Sequence, residues 1–137
     1  MGYICESRLR VRYAETDQMG VVYYANYLVW MEVGRSDFCR ECGFSYRDLE
    51  REEQVYLAVA EANCRYLGPA RYDDEVVVET EMTRAGSRIV EFSYRIKNGA
   101  ALLAEGRTVH VVLDRGGKRR SMPDRYLEQL KSKLGRE

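Results

Sequence analysis

The segment best suited to chemistry is a carboxylate loop that leads into an apolar run. Asp17 precedes Gly20 by three residues, and a helical hydrophobic period follows the loop. The first N–H groups of a helix lack intrahelical partners and carry partial positive charge, so they can hold an acyl oxygen as it becomes an oxyanion. Asp17 could act as nucleophile or as general base beside them. Since an Asp before a helix is often only a cap or turn residue, the pattern alone leaves both roles open.

The elements around this loop follow from hydrophobic spacing. Residues 3–14 predict a strand, residues 15–22 a loop, and residues 23–42 a helix that ends at Gly43. The first half of this helix, up to Met31, is apolar almost all round, which predicts a buried helix. A short polar helix or turn is expected from Ser45 to Glu53.

The second half of the chain predicts a β-sheet. Alternating residues and turn signals such as Ala85-Gly86 and Asn98-Gly99 indicate four strands joined mostly by tight turns, followed by a terminal helix from Pro123 to Leu134. The predicted strands are Val55–Leu67, Asp74–Thr83, Ser87–Lys97 and Leu102–Leu113. The fold class is therefore α+β, with a strongly curved antiparallel sheet of five strands wrapped around the long helix.

Composition excludes several classes of function. The 22 basic and 22 acidic side chains give zero net charge, so no global field attracts nucleic acid or an anionic membrane. Apolar runs are far shorter than the ~20 residues of a membrane span, and the first ten residues lack the apolar core of a signal peptide. We expect a cytoplasmic protein without membrane insertion, in which the four cysteines are reduced thiols.

Two other groups of residues invite a chemical interpretation. Cys39-x-x-Cys42 ends the predicted helix, whereas a thioredoxin-type motif begins one, and Cys5, Cys64 and His110 do not form the second pair of a zinc site. The only histidine, His110, lies within the last predicted strand on the face of Thr108 and Val112, which favours a structural role. We therefore expect buried thiols, no metal and no cofactor.

The Asp17 segment resembles the signature of the hotdog-fold thioesterases of the 4-hydroxybenzoyl-CoA thioesterase-like branch. The residues that carry the resemblance are Tyr13, Glu15, Asp17, Gly20, Val21, Val22, Tyr23, Asn26 and Tyr27. The likeness extends to residues 30–32, Arg35, residues 66–74 and residues 106–108, and so covers nearly the whole chain. Within this branch, the sequence most resembles the bacterial short-chain acyl-CoA thioesterases associated with the Tol–Pal system.

The resemblance implies one hotdog domain over residues 1–137 that hydrolyses acyl-CoA without a cofactor. It implies that Asp17 is the catalytic carboxylate and that backbone N–H groups near Tyr24 polarise the thioester carbonyl. Gly20, Val21, Val22, Tyr23 and Tyr27 would contact the substrate. It also implies a homodimer with active sites at the subunit interface, often assembled into a tetramer as a dimer of dimers. Many short-chain members carry His where this chain has Tyr24, which leaves the acyl preference open.

The phosphates of coenzyme A need local positive charge because the chain has none overall. Arg84 and Arg88 flank the Ala85-Gly86 turn, and Arg119 lies in a basic segment after the last strand, so these three are the candidates. A solvated turn is the ordinary alternative. Glu32 and Arg35, three residues apart on the helix, are expected to form an ion pair.

Two other functions are compatible with such a domain. A hotdog domain can bind acyl-CoA without catalysis, although Asp17 favours the enzyme and the chain carries no DNA-binding segment that would report binding. A hotdog hydratase needs an Asp/His pair, and His110 lies too late in a strand for that role.

Overall fold

The computed structural model describes residues 2–134 and contains one sheet and three α-helices. The elements in chain order are β1 (Ile4–Arg10), a 3-10 turn (Tyr13–Glu15), α1 (Asn26–Cys42), α2 (Tyr46–Glu53), β2 (Tyr56–Tyr66), β3 (Glu75–Ala85), β4 (Ile89–Asn98), β5 (Ala101–Leu113) and α3 (Asp124–Lys131). All five strands pair antiparallel in the order β1-β3-β4-β5-β2, which confirms the predicted hotdog architecture.

The hydrophobic core lies between α1 and the sheet. Strand alternation buries Val76, Val78, Thr80 and Met82 of β3 on the same face of the sheet as Val90, Phe92, Tyr94 and Ile96 of β4. Tyr27, Trp30, Met31 and Phe38 of α1 supply the helical side of the core at three- and four-residue spacing. Each large apolar side chain buried in this way stabilises the fold by about 1.5–3 kcal/mol.

Two predicted boundaries were wrong near the loop. The first strand ends at Arg10 rather than at residue 14, and Tyr13–Glu15 form a 3-10 turn. Helix α1 begins at Asn26 rather than at Tyr23, because residues 23–25 form a turn before it. The helix ends at Gly43 as predicted.

The prediction that the first half of α1 is buried on all sides was also wrong for a single chain. Leu28 is 38% exposed and Val29 is 48% exposed. The neighbouring edge strand β2 exposes the middle of its length, including Val59. An apolar surface on α1 and an unpaired strand edge are therefore left open by the fold of one chain.

Among residues 2–134, no helix is both long and apolar enough to cross a membrane. This finding agrees with the hydropathy of the sequence, in which charged residues interrupt every apolar run.

Candidate active site

Asp17 lies in a tight turn that the local sequence explains. Its N–H donates to the carbonyl of Val21 at 2.9 Å, and its carbonyl accepts from the N–H of Gly20 at 3.0 Å. Gly20 has a φ of +82°, which L side chains rarely adopt, so glycine suits this position. The turn thus fixes the backbone of Asp17 from both sides.

The two oxygens of the Asp17 carboxylate have different surroundings. Oδ1 accepts the N–H of Met19 at 2.8 Å and, more weakly, that of Val21 at 3.4 Å. Within residues 2–134, Oδ2 has no hydrogen-bond partner. One oxygen therefore orients the side chain, and the other is available for reaction.

The turn is held against the chain segment that precedes β3. Val22 donates its N–H to the carbonyl of Ala70 at 2.8 Å, and Val21 pairs with Arg71 in an isolated antiparallel bridge. Thr16 and Val22 form a second bridge within the loop itself. These contacts bring residues 66–71 to the same side of the molecule as Asp17.

Glu15, the second carboxylate of the motif, is buried and has a structural role. Its side chain accepts the N–H of Arg12 at 2.8 Å and the indole N–H of Trp30 at 3.0 Å, and its backbone carbonyl accepts the N–H of Tyr23 and the side-chain amide of Asn26. Burial opposes ionisation of Glu15, but the hydrogen bonds from Arg12 and Trp30 outweigh burial and lower its pKa. Glu15 thus ties the loop to the start of α1.

Tyr24 lies in the turn just before α1. The carbonyl of Tyr23 accepts the N–H of Asn26 at 2.9 Å, which closes the turn. In the described part of the chain, the N–H groups of Tyr24 and Ala25 have no acceptor. An unpartnered donor therefore lies at Tyr24, two residues before the first helical residue of α1.

A cleft of about 410 Å³ connects these features, and we call it the Asp17 cleft. Its lining residues are Asp17, Val21, Val22, Tyr24, Tyr27, Tyr66, Leu67, Gly68 and Pro69. Asp17 is the only charged side chain in this set. The cleft therefore offers one carboxylate within an otherwise apolar and aromatic wall.

Three tyrosines form the aromatic wall of the cleft. The ring of Tyr66 packs edge-on against Tyr27 at 5.1 Å and against Tyr24 at 6.5 Å between centroids. The Tyr27 hydroxyl accepts the N–H of Ala70 at 3.3 Å. Sequence reasoning missed Tyr66, Leu67 and Pro69 as site residues, although the sequence resemblance included that segment.

The structure brings together most of the predicted substrate-contacting residues. Val21, Val22 and Tyr27 line the cleft with Asp17 and Tyr24, whereas Gly20 shapes the loop without lining it. The ring of Tyr23 packs against that of Tyr24 at a tilt of 46°, with 4.6 Å between centroids, and Tyr23 is 45% exposed, outside the lining.

The predicted phosphate-binding arginines lie elsewhere in the chain. Arg84 is exposed near the end of β3 and pairs with Glu91 at 3.8 Å, and Arg88 is exposed in the next turn. Because the Asp17 loop packs beside the start of β3, about 30 Å of strand separates these arginines from the cleft. Arg119 is exposed beyond β5, where it bridges to Leu113.

His110 is a core residue, as the sequence predicted. It is fully buried on β5 and its Nε2 lies 2.9 Å from the hydroxyl of Thr108. Burial and then the nearby charge of Arg35 lower the pKa of His110 to about 4, so the ring is neutral near pH 7. It lines no part of the Asp17 cleft, which argues against a hydratase-type Asp/His pair.

The prediction of buried thiols at Cys39 and Cys42 is confirmed, whereas the predicted Glu32–Arg35 ion pair is wrong. All four cysteines are free thiols, and burial raises the pKa of Cys42 to about 11, which keeps it protonated. The expected ion pair of Glu32 and Arg35 is absent from the described residues. Arg35 instead lies close enough to His110 for its charge to affect that pKa.

Comparison with known proteins places this geometry in a family. A family model described as the thioesterase superfamily matches residues 19–111, beginning two residues after Asp17. YneP of Bacillus subtilis is 39% identical over 114 residues, which cover 82% of each chain. The acyl-CoA thioester hydrolase YbgC of Escherichia coli O157:H7 is 36% identical over 107 residues, 77% of this chain and 79% of that protein.

Solved structures agree with this placement. The hypothetical protein TT1821 from Thermus thermophilus superimposes with a TM-score of 0.92 at 34% identity and covers 98% of this chain and 100% of its own. Fold, family match and relatives over most of the chain lead to one conclusion: the protein belongs to the thioesterase superfamily and is a hotdog-fold thioesterase.

Proposed function

We propose that this protein hydrolyses acyl-CoA thioesters in the Asp17 cleft. The observation that carries the proposal is that a carboxylate oxygen of Asp17 and the backbone N–H of Tyr24, both without a hydrogen-bond partner among residues 2–134, belong to residues of one cleft. The first can attack the acyl carbon or activate water, and the second can hold the carbonyl oxygen as charge develops on it. The name of YbgC, an acyl-CoA thioester hydrolase at 36% identity, supports coenzyme A as the leaving group.

The chemistry has two possible routes through Asp17. As nucleophile, Asp17 Oδ2 bonds to the acyl carbon, the C–S bond breaks to release the thiolate of coenzyme A, and water then cleaves the anhydride to regenerate the carboxylate. As general base, Asp17 takes a proton from water while the water oxygen bonds to the acyl carbon and the same C–S bond breaks, and the proton then passes from Asp17 to the leaving thiolate. In both routes the Tyr24 N–H stabilises the oxyanion of the tetrahedral intermediate.

The lining of the cleft favours a neutral acyl group. Tyr27, Tyr66 and Leu67 supply apolar surface, and Asp17 would repel a second carboxylate. Aliphatic and aromatic acyl groups both suit such a wall. The finer placement within the Tol–Pal-associated short-chain branch rests on the similarity to YbgC and is part of this proposal.

We also propose that the enzyme works as a homodimer and that two dimers assemble into a tetramer. Leu28 and Val29 on α1 and Val59 on β2 are exposed in one chain, beside the open edge of β2. A second copy would cover this surface and the strand edge together. Sedimentation at assay concentration should show no 16.0 kDa monomer, and a monomer that retains full activity would contradict the interface model.

Coenzyme A phosphates would be held by arginines outside the cleft. Arg84 and Arg88 are candidates, with Arg119 as the third, and their distance from Asp17 along β3 means that they would serve the site of another subunit.

The proposal is tested by a hydrolysis screen. Free thiol release is measured over acetyl- to palmitoyl-CoA, aroyl-CoA and a dicarboxylic acyl-CoA such as succinyl-CoA. We expect hydrolysis of one or more neutral acyl-CoAs and much slower hydrolysis of the dicarboxylic one. Saturable binding of neutral acyl-CoAs without thiol release would replace the enzyme with a non-catalytic acyl-CoA-binding module.

A further inference from the structure

Tyr66 forms a hydrogen bond to the turn of Tyr24 but takes no direct part in the proposed reaction. Its hydroxyl donates a hydrogen bond of 2.8 Å to the backbone carbonyl of Tyr24. Tyr66 is the last residue of β2, so this bond joins the edge strand to the turn before α1 across 42 positions of sequence.

The Tyr24 N–H belongs to the peptide before Tyr24 and the Tyr24 carbonyl to the peptide after it, so the turn keeps its shape only when both peptides are held. The peptide before Tyr24 is fixed by the carbonyl of Tyr23, which accepts the N–H of Asn26 at 2.9 Å. The peptide after Tyr24 has only one backbone bond, a long one of 3.3 Å from the N–H of Tyr27. The hydrogen bond from the Tyr66 hydroxyl is therefore the shorter of the two that the Tyr24 carbonyl accepts.

We propose that Tyr66 is a positioning residue for hydrolysis, whose hydroxyl holds the turn so that the N–H of Tyr24 stays directed at the oxyanion. This inference rests on the proposed function, in which that N–H stabilises the tetrahedral intermediate. The gain arises in the transition state because a donor held in place needs no reorganisation when charge develops.

The state of the hydroxyl fits this role. Burial, and then the neighbouring thiol of Cys64, raises the pKa of Tyr66 to about 12. The hydroxyl therefore keeps its proton and donates at any pH where the enzyme is assayed. Tyr24 O, a backbone carbonyl, can only accept, so the direction of the bond is fixed.

The ring and the hydroxyl of Tyr66 can be tested separately. The ring packs edge-on against Tyr24 and Tyr27, and phenylalanine would keep both contacts. Tyr66→Phe thus removes the donor alone. Tyr56→Phe is the matched control, because Tyr56 lies at the other end of β2 and makes no side-chain hydrogen bond among residues 2–134.

We expect Tyr66→Phe to lower kcat about tenfold to a hundredfold and to change KM by less than about twofold. Binding of a thioether analogue of acyl-CoA, which has no carbonyl to polarise, should stay within about twofold of wild type. Tyr56→Phe should match the wild type in both. A wild-type kcat in Tyr66→Phe, or a loss confined to KM, would overturn the proposal.

A rescue experiment keeps the test independent of stability. At position 66, 4-aminophenylalanine retains a donor and should restore kcat to within about threefold of wild type, whereas 4-methylphenylalanine has similar size without a donor and should not. Equal kcat values for these two variants would also overturn the proposal. Absence of thiol release by the wild type would refute the proposed function itself, whereas an inactive Asp17→Asn beside a fully active Tyr66→Phe would refute only the role of Tyr66.

Discussion

The molecule contains the same aspartate turn twice, and the two copies have different surroundings. Asp114 donates its N–H to the carbonyl of Lys118 and accepts the N–H of Gly117, and its Oδ1 accepts the N–H groups of Gly116 and Lys118. The Asp17 turn has the same bonds with Val21, Gly20 and Met19. The third residue after each aspartate is a glycine of nearly equal φ, +82° and +83°.

The same aspartate turn forms with or without the Asp17 cleft beside it, so the turn alone does not make a functional site. Asp114 lies beyond β5 among exposed basic residues, whereas Asp17 lines an aromatic cleft together with Tyr24. The local hydrogen bonds explain why aspartate forms both turns. Only the surroundings supplied by α1 and by residues 66–69 distinguish Asp17 from Asp114 as the candidate reacting group.

The largest expected effect comes from the two aspartates themselves. Asp17→Asn keeps an oxygen acceptor for the turn but removes the charge needed by a nucleophile or base, so kcat/KM should fall by at least about a thousandfold. Asp114→Asn should retain wild-type activity within about twofold. Thiol release under steady-state conditions measures both.

Thermal unfolding supplies the control for this pair. Because asparagine can accept the same backbone bonds, each variant should lose no more than about 1 kcal/mol of stability. Near wild-type turnover by a folded Asp17→Asn protein would reduce Asp17 to the structural role of Asp114.

The two glycines give the next effect. A Cβ at Gly20 or at Gly117 would meet no atom within 4 Å, so alanine adds only backbone strain of about 1–2 kcal/mol at either position. Gly20→Ala should also displace Asp17 and lower kcat about tenfold to a hundredfold, while Gly117→Ala should leave kcat unchanged. Equal kcat values for the two variants, at equal loss of stability, would show that the exact turn geometry is dispensable.

Activity lost in acid can be lost at the site or through unfolding, so the free energy of unfolding is measured separately as a function of pH. The pKa of His110 in the fold is about 4, below its ordinary value of 6.5, so the unfolded chain binds a proton between these pH values that the fold excludes. Stability is thus highest above pH 6.5 and falls as the pH drops towards 4, by on the order of 3 kcal/mol from this group. Chemical denaturation from pH 7 to pH 4 should show this slope.

His110→Gln provides the matched measurement. Glutamine can keep a bond to Thr108 without titrating, so its stability should depend less steeply on pH over the same range. Glu15, whose pKa the fold lowers, adds a further loss that begins as the pH falls to its ordinary value of 4.5 and continues through the lowered one. An unchanged slope in His110→Gln would assign the acid sensitivity to other groups.

The sequence predicted the existence and type of the elements better than their junctions. Alternation on β3 and β4 determined which side chains enter the core, and Gly43 marked the end of α1. The start of α1 was missed because Tyr24, Tyr27 and Leu28 keep a helical spacing through the turn. Periodicity reports which face is apolar and does not report which residue makes the first helical hydrogen bond.

The wall of the cleft could not be predicted from spacing. Tyr66 approaches Tyr24 only because β2 pairs with β5 in one register and the segment after β2 returns beside the Asp17 turn. Likewise, Glu15 has a structural role because Trp30, 15 residues further along the chain, donates to it. Both facts depend on tertiary contacts between distant segments, which local patterns do not encode.

The smallest expected effect concerns the arginines, which lie at the other end of β3 from the Asp17 turn. Arg84→Ala/Arg88→Ala removes exposed guanidinium groups that could hold phosphates from another subunit. Because such contacts act equally on bound substrate and transition state, KM should rise about twofold to fivefold with kcat unchanged. Exposed charges are screened by salt, so the effect should shrink as ionic strength increases.

The role of Arg84 and Arg88 is tested by comparing substrates with and without the nucleotide part of coenzyme A. The double variant is assayed on an acyl-CoA and on a short acyl thioester that lacks the nucleotide, and only the first should weaken. Arg47→Ala/Arg51→Ala on α2 is the control, since it removes the same charge from a helix unconnected with the Ala85-Gly86 turn. If both pairs raise KM equally, the arginines act only through the overall field of the protein. If Arg84→Ala/Arg88→Ala affects both substrates or neither, that turn is a solvated surface with no part in binding coenzyme A.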